Sequence, residues 1–200
     1  LSIFTRDDTE FISAPYFSEE VRRKLVKLYG SSALYANGLS VRTTLNPILQ
    51  NIADKVLREG LQIYDRRHGW RGPFFRLDET AKISSKLDWK EFLKIHKRPK
   101  GLQSWVLALV LKNDSDLAHI VTEKGTIGVI PIEELLWARK WEEGQTLGPV
   151  INRPSDVLQR GDIVAVELIN GDDHKKEILF GLRQIPDVNG AIVAMDPHTG

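Results

Sequence analysis

The sequence predicts a mixed α/β (α+β) chain in which a compact set of five short strands is inserted into a small α/β layer. Three observations predict it. Apolar residues recur at helical spacing through the first third of the chain. Short apolar or alternating runs separated by Gly, Asn and Asp fill the second half. One further strand-like run, Ala191 to Asp196, falls outside that set and needs a partner earlier in the chain.

Taken in order, Val21, Leu25 and Leu28 mark one face of a helix from Ser18 to Tyr29, with Ser18 as N-cap and Gly30 as stop. Leu39 to Leu45 alternates apolar and polar residues and reads as a half-buried strand. Asn46-Pro47 ends it and opens a long helix, because a proline at the first helical turn lacks only an N–H that would have had no partner. Ile48, Ile52, Val56, Leu57 and Ile63 give that helix one apolar face to about Tyr64. The stretch Asp65 to Pro73 holds three Arg, two Gly and a Pro, so a loop and a domain boundary near Gly72 are expected.

Between Ala81 and Lys100 a further helix is expected, with Asp88 and Glu91 in capping-box positions and Trp89, Phe92, Leu93 and His96 on one face. Lys82, Lys86, Lys90 and Lys94 form a basic stripe on it, which is either a solvated face or a docking surface for an anionic partner. The five strands follow at Trp105–Leu111, Leu117–Thr122, Thr126–Ile130, Asp162–Leu168 and Glu177–Arg183, with a helix from Ile132 to Trp141 after the third. Five strands with a helix after the third is the element order of an oligonucleotide/oligosaccharide-binding (OB) barrel. Ala191–Asp196 would pair with Leu39–Leu45, making the five-stranded OB-like barrel an insertion in a small α/β linker layer. The expected divisions are residues 1–72, 73–185 and 186–200.

Composition narrows the function. The net charge of +1 hides an asymmetry, with 19 Lys and Arg against 12 Asp and Glu in residues 1–100 and 9 against 15 in residues 101–200. Such a dipolar chain does not suit uniform tracking of phosphates. There are no cysteines, which removes disulfides, zinc thiolate clusters and thiol catalysis. The longest apolar run is the seven residues Trp105 to Leu111, far short of the ~20 a membrane helix needs. The chain begins without Met or a signal segment and stops just after a strand-like run, so both ends are expected to be cut.

Catalytic and cofactor motifs are absent. A serine acyl-enzyme needs Ser-x-x-Lys with Ser-x-Asn and Lys-Thr-Gly, and the nearest runs, Ser84-Ser85-Lys86 and Lys124-Gly125-Thr126, have the wrong spacing. His68, His96, His119, His174 and His198 are scattered without a helical pair, so no metal is expected. His96 is expected to pack and His68 to hydrogen-bond in its loop. Neighbouring acids such as Glu133-Glu134 and Asp172-Asp173 sit at turns or helix starts, where carboxylates have local structural work. The strands that would bind nucleic acid, within Leu117 to Ile130, carry His119, Glu123 and Lys124 but no aromatic residue, so no nucleic acid is expected. Trp105, Trp137 and Trp141 are expected to serve packing. No catalytic residue and no cofactor is assigned, and an OB-type nucleic-acid-binding or other stand-alone binding module is the alternative reading.

Several stretches carry a family resemblance. Ala14-Pro15-Tyr16-Phe17 with Val21-Arg22-Arg23, and Gly38-Leu39 through Thr43-Thr44-Leu45-Asn46-Pro47 to Gln50, resemble the region between the two catalytic domains of class A penicillin-binding proteins. The run Tyr64-Asp65-Arg66-Arg67-His68-Gly69-Trp70-Arg71-Gly72-Pro73 is similar to that of 1A-type members carrying an OB insertion. Arg183-Gln184-Ile185-Pro186, then Asn189-Gly190-Ala191 and Ala194 to Gly200, resembles the return strand that opens the transpeptidase domain. Asn46 stands where the family often has Asp.

The resemblance implies a parent enzyme on the periplasmic face of the bacterial inner membrane that polymerises and cross-links peptidoglycan, anchored in the membrane outside this chain. It implies as partners the parent's own catalytic domains and either an outer-membrane lipoprotein activator or peptidoglycan. Within this chain it carries over no catalytic residue, and Lys82, Lys86, Lys90 and Lys94 remain the docking candidates.

Overall fold

The computed structural model describes residues 13–36, 39–77, 88–144, 146–169 and 177–198. The chain divides into two compact units, Leu1–Glu59 with Gly190–Gly200, and Gly60–Asn189.

In the first unit, helix α1 spans Pro15–Tyr35 and helix α2 begins at Pro47, running to Arg66. Helix α1 starts ahead of the expected Ser18 cap, because Pro15 presets the first turn and the Ser18 N–H already donates to the Ala14 carbonyl. Gly30 interrupts it with a φ of 80°, the left-handed conformation that glycine adopts without steric cost. At α2 the Asn46 side-chain oxygen accepts the N–H groups of Ile48 and Leu49 at 2.9 and 3.1 Å. Asn46 is therefore a working cap. The pairing of Leu39–Leu45 with Ala191–Asp196 is not formed. Both segments are irregular and largely exposed, without strand pairing, as a two-stranded ribbon is marginal where no third layer buries it.

The second unit carries strand β1 (Phe75–Arg76), helix α3 (Trp89–Ile95) and strands β2 (Val106–Asn113), β3 (Leu117–Thr122), β4 (Ile127–Pro131), β5 (Trp141–Glu142), β6 (Thr146–Leu147), β7 (Asp162–Leu168) and β8 (Phe180–Arg183). Six of these form one antiparallel sheet in the order β1-β7-β2-β3-β4, with β8 also on β7. β5 and β6 form a separate hairpin. The sheet curls until β4 and the start of β8 meet, where among the described residues a single parallel bridge, Val129 to Leu179, joins the two edges. The strand order is that of an OB fold, and the barrel is open rather than closed by a full ladder.

Why β2 reads as an unbroken apolar run is now clear. Ala108 and Val110 enter a core inside the curl with Ile120, Ile130, Leu135, Val164 and Leu182. Leu107 and Leu109 enter a second core on the outer face with Phe92, Leu102, Trp105, Val121 and Ile163. A strand covered on both faces loses the period of two. Helix α3 is part of that outer cover. Its Asp88 side chain accepts the Glu91 N–H at 3.1 Å, the expected cap.

The helix expected over Ile132–Trp141 is absent. Only a 3₁₀ turn, Ile132–Glu134, forms there. Leu135 and Ala138 must both reach the inner core, and Lys140 is then captured in a bridge with Trp70. The tertiary pairing overrides helical propensity over so short a span.

Candidate functional site

A densely hydrogen-bonded polar cluster lies where the two ends of the second unit meet, and it is built on Asp65. This residue sits in the last turn of α2, and its side chain is carried inward until the residue is 2% exposed. A buried carboxylate needs every oxygen partnered. Arg71 donates to both oxygens at 2.7 and 3.1 Å, the forked geometry that suits guanidinium to carboxylate. The Gln184 amide donates to one oxygen at 2.8 Å and the Asp187 N–H to the other at 3.1 Å.

Gln184 is shared in turn. Its amide also donates to the Gly69 carbonyl at 3.0 Å, and its side-chain oxygen accepts the Arg71 N–H at 2.9 Å. Arg71 further donates to the Ile185 carbonyl at 2.7 Å. Residues 65–71 and 184–187 are thus sewn together across more than a hundred residues of chain. Gly69 makes the turn, with a φ of 90° and no room for a side chain: a Cβ there would stand 2.6 Å from the Arg139 carbonyl. The expected loop hydrogen bond of His68 is present, its Nδ1 lying 2.9 Å from the Tyr64 carbonyl.

A second charged group stands beside this neck. Arg183 donates to Glu167 at 2.7 Å and Glu134 at 3.1 Å, which ties β8 to β7 and to the turn after β4. Arg66 lies over the Trp137 ring, 4.9 Å from its centroid. Burial, reinforced by the neighbouring Arg183, holds the Arg66 guanidinium below its ordinary pKa. Trp137 meets Trp70 edge-on at 5.9 Å. Trp70 and Trp105 are buried, as packing requires, whereas Trp141 is 44% exposed on its hairpin.

The docking candidates separate. Lys82 and Lys86 lie outside the described residues, as does the Lys90 side chain, and Lys94 is exposed in the last turn of α3. Sequence reasoning missed the Asp65, Arg71, Gln184 and Asp187 cluster. Its signal was the run of Asp and Arg from Asp65 to Arg71, whose partner in Gln184 only the fold brings near. Among the described residues no group of His, Asp and Glu could hold a metal ion, and no helix is long and apolar enough to cross a membrane.

Comparison with known proteins places this geometry. The chain is 34% identical over 197 residues to penicillin-binding protein 1A of Rickettsia typhi, covering 98% of this chain and 22% of that protein. It is 31% identical to penicillin-binding protein 1A of Pseudomonas aeruginosa, covering 96% and 22%, and 31% identical to that of Escherichia coli, covering 94% and 21%. The chain therefore spans about a fifth of the length of these relatives. The crystal structure of penicillin-binding protein 1A from Haemophilus influenzae shares the fold, with a TM-score of 0.56 at 22% identity over 91% of this chain and 24% of that one. A family model described as the penicillin-binding protein OB-like domain matches residues 70–188, limits that fall on the two sides of the neck. The chain belongs to the penicillin-binding protein family, and its OB-like domain occupies residues 70–188.

Proposed function

We propose that this chain is the non-catalytic inter-domain region of a bifunctional peptidoglycan synthase, with the OB-like domain acting as a spacer of fixed geometry and as a docking module. The observation that carries this reading is the neck. A module that transmits position needs both of its chain ends held to one rigid point, and Asp65 with Arg71, Gln184 and Asp187 supplies that point. The relatives' shared name and the match across most of this chain support the parent's class. The parent polymerises glycan and cross-links peptides at the periplasmic face of the inner membrane, with both active sites outside this chain. Its OB-like domain docks either an outer-membrane lipoprotein activator or peptidoglycan.

The test is fluorescent-penicillin labelling of the full-length polypeptide, captured with antiserum against this chain, with the chain alone as control. A labelled full-length protein and an unlabelled chain are expected. An unlabelled full-length protein, with the antigen verified on the gel, overturns the reading. Replacing residues 70–188 by a short linker tests the spacer role: polymerisation is expected to continue while the ratio of cross-linking to polymerisation falls.

A further inference from the structure

We propose that the segment following α3 is a contact site for a carboxylate-bearing polymer, namely peptide-substituted glycan, with Lys94, Lys97 and Lys100 as the contacting groups. This rests on the synthase reading and names the partner of its docking module. The three lysines are exposed and make no ion pair among the described residues. Their backbone is nonetheless fixed at several points. The His96 ring lies against Phe92 and Phe75, with centroids 4.6 and 4.9 Å apart. Arg98 is committed to Glu123. Leu102 is buried in the outer core, and Gly101 turns at a φ of 93° against Ile185. The amines are thus presented from a held backbone, at intervals of three residues, while the carboxylate of Glu123 is already paired with Arg98.

Other occupants fit less well. A stable protein interface buries about 800 Å² per partner around an apolar centre. Among the described residues of this segment the exposed large apolar residue is Ile95. A membrane-surface helix needs an apolar face free to enter lipid, whereas Trp89, Phe92 and Leu93 of α3 belong to the outer core. Single-stranded nucleic acid needs stacking platforms, and the nearby rings, Phe75, Phe92 and Trp105, are packed inward. A flexible polymer bearing free peptide carboxylates at intervals needs only distributed cations, and lysine serves as a mobile point charge.

The test is co-sedimentation of the 200-residue chain with insoluble peptide-bearing glycan, with the same polymer after amidation of its carboxyl groups, and with vesicles of phosphatidylglycerol. Binding to the untreated polymer at about 0.01 M salt and its loss at about 1 M are expected. Replacing Lys94, Lys97 and Lys100 together by Gln is expected to weaken binding about 100-fold, at roughly fivefold per amine facing an anionic surface, and replacing them by Arg to retain it. Equal binding of the amidated polymer, unchanged binding of the Gln variant, stronger binding to the vesicles or no binding at all overturns the proposal. Penicillin labelling of the full-length protein is read separately. A labelled parent whose OB-like region ignores the polymer defeats the lysine proposal alone, and an unlabelled parent defeats the reading beneath it.

Discussion

Asp65 uses both carboxylate oxygens twice, and all four donors come from beyond its own helix. Removing the charge while keeping the shape leaves Arg71 facing a weaker acceptor. Asp65→Asn is therefore expected to destabilise the second unit by about 3 kcal/mol, the lower end for breaking a buried ion pair, read as a lowered midpoint in urea unfolding. At the surface, Asp156 accepts the N–H groups of Asn152 and Arg153, which hold its carboxyl below the usual carboxylate range. A depressed folded pKa gives stability that is complete above the unfolded value of about 4 and lost as pH falls through the folded value. Asp156→Asn is expected to lessen the loss of stability on acidification below about pH 4, measured by thermal melts across pH. The Asp156 contacts are local in sequence. Of the partners of Asp65, Arg71 is near in sequence but Gln184 and Asp187 are not, and no periodicity encodes a Gln more than a hundred residues away.

Among the elements, the seam between β4 and β8 is the least conventional. One bridge replaces a ladder, and the strands approach so closely that a Cβ on Gly128 would stand 2.5 Å from the Ile178 carbonyl and 2.6 Å from the Phe180 ring. Gly128→Ala is expected to cost about 2 kcal/mol, as overpacking does, and to raise amide exchange in β4 and β8 before it does so in β2. Strands β3 and β7 were legible to the residue, because alternation or a bounded apolar run specifies them. β5 and β6 were not. Two residues each, they are defined by their pairing across the Gly144 turn, and the same pairing region displaced the helix expected after Ile132. The OB strand order was legible from element order alone, but the openness of the barrel was not, since it depends on how far the sheet curls.

At the scale of the molecule, residues 60–189 hold both buried cores, whereas α1 and the first part of α2 expose most of their apolar residues. Hydrogen exchange is expected to divide accordingly, with the amides of β2, β3 and β7 opening only on global unfolding and those of α1 and the first part of α2 exchanging by local fluctuation. Proteolysis should trim the first unit and leave a resistant product near residues 60–189. The exposed apolar face of α2 and the unpaired Leu39–Leu45 explain why that part of the sequence announced an α/β layer that the described residues do not complete.

The neck changes what a flanking chain experiences. Closing a flexible loop the size of residues 70–188 costs about 3 kcal/mol more than closing a four-residue turn, because closure entropy grows with the logarithm of length. With the carboxylate of Asp65 bonded to Gln184 and to the Asp187 N–H, that cost is met inside the domain. Residues 65 and 187 then behave as near neighbours in sequence, and the flanking chain carries a folded domain with the entropic burden of a hairpin turn.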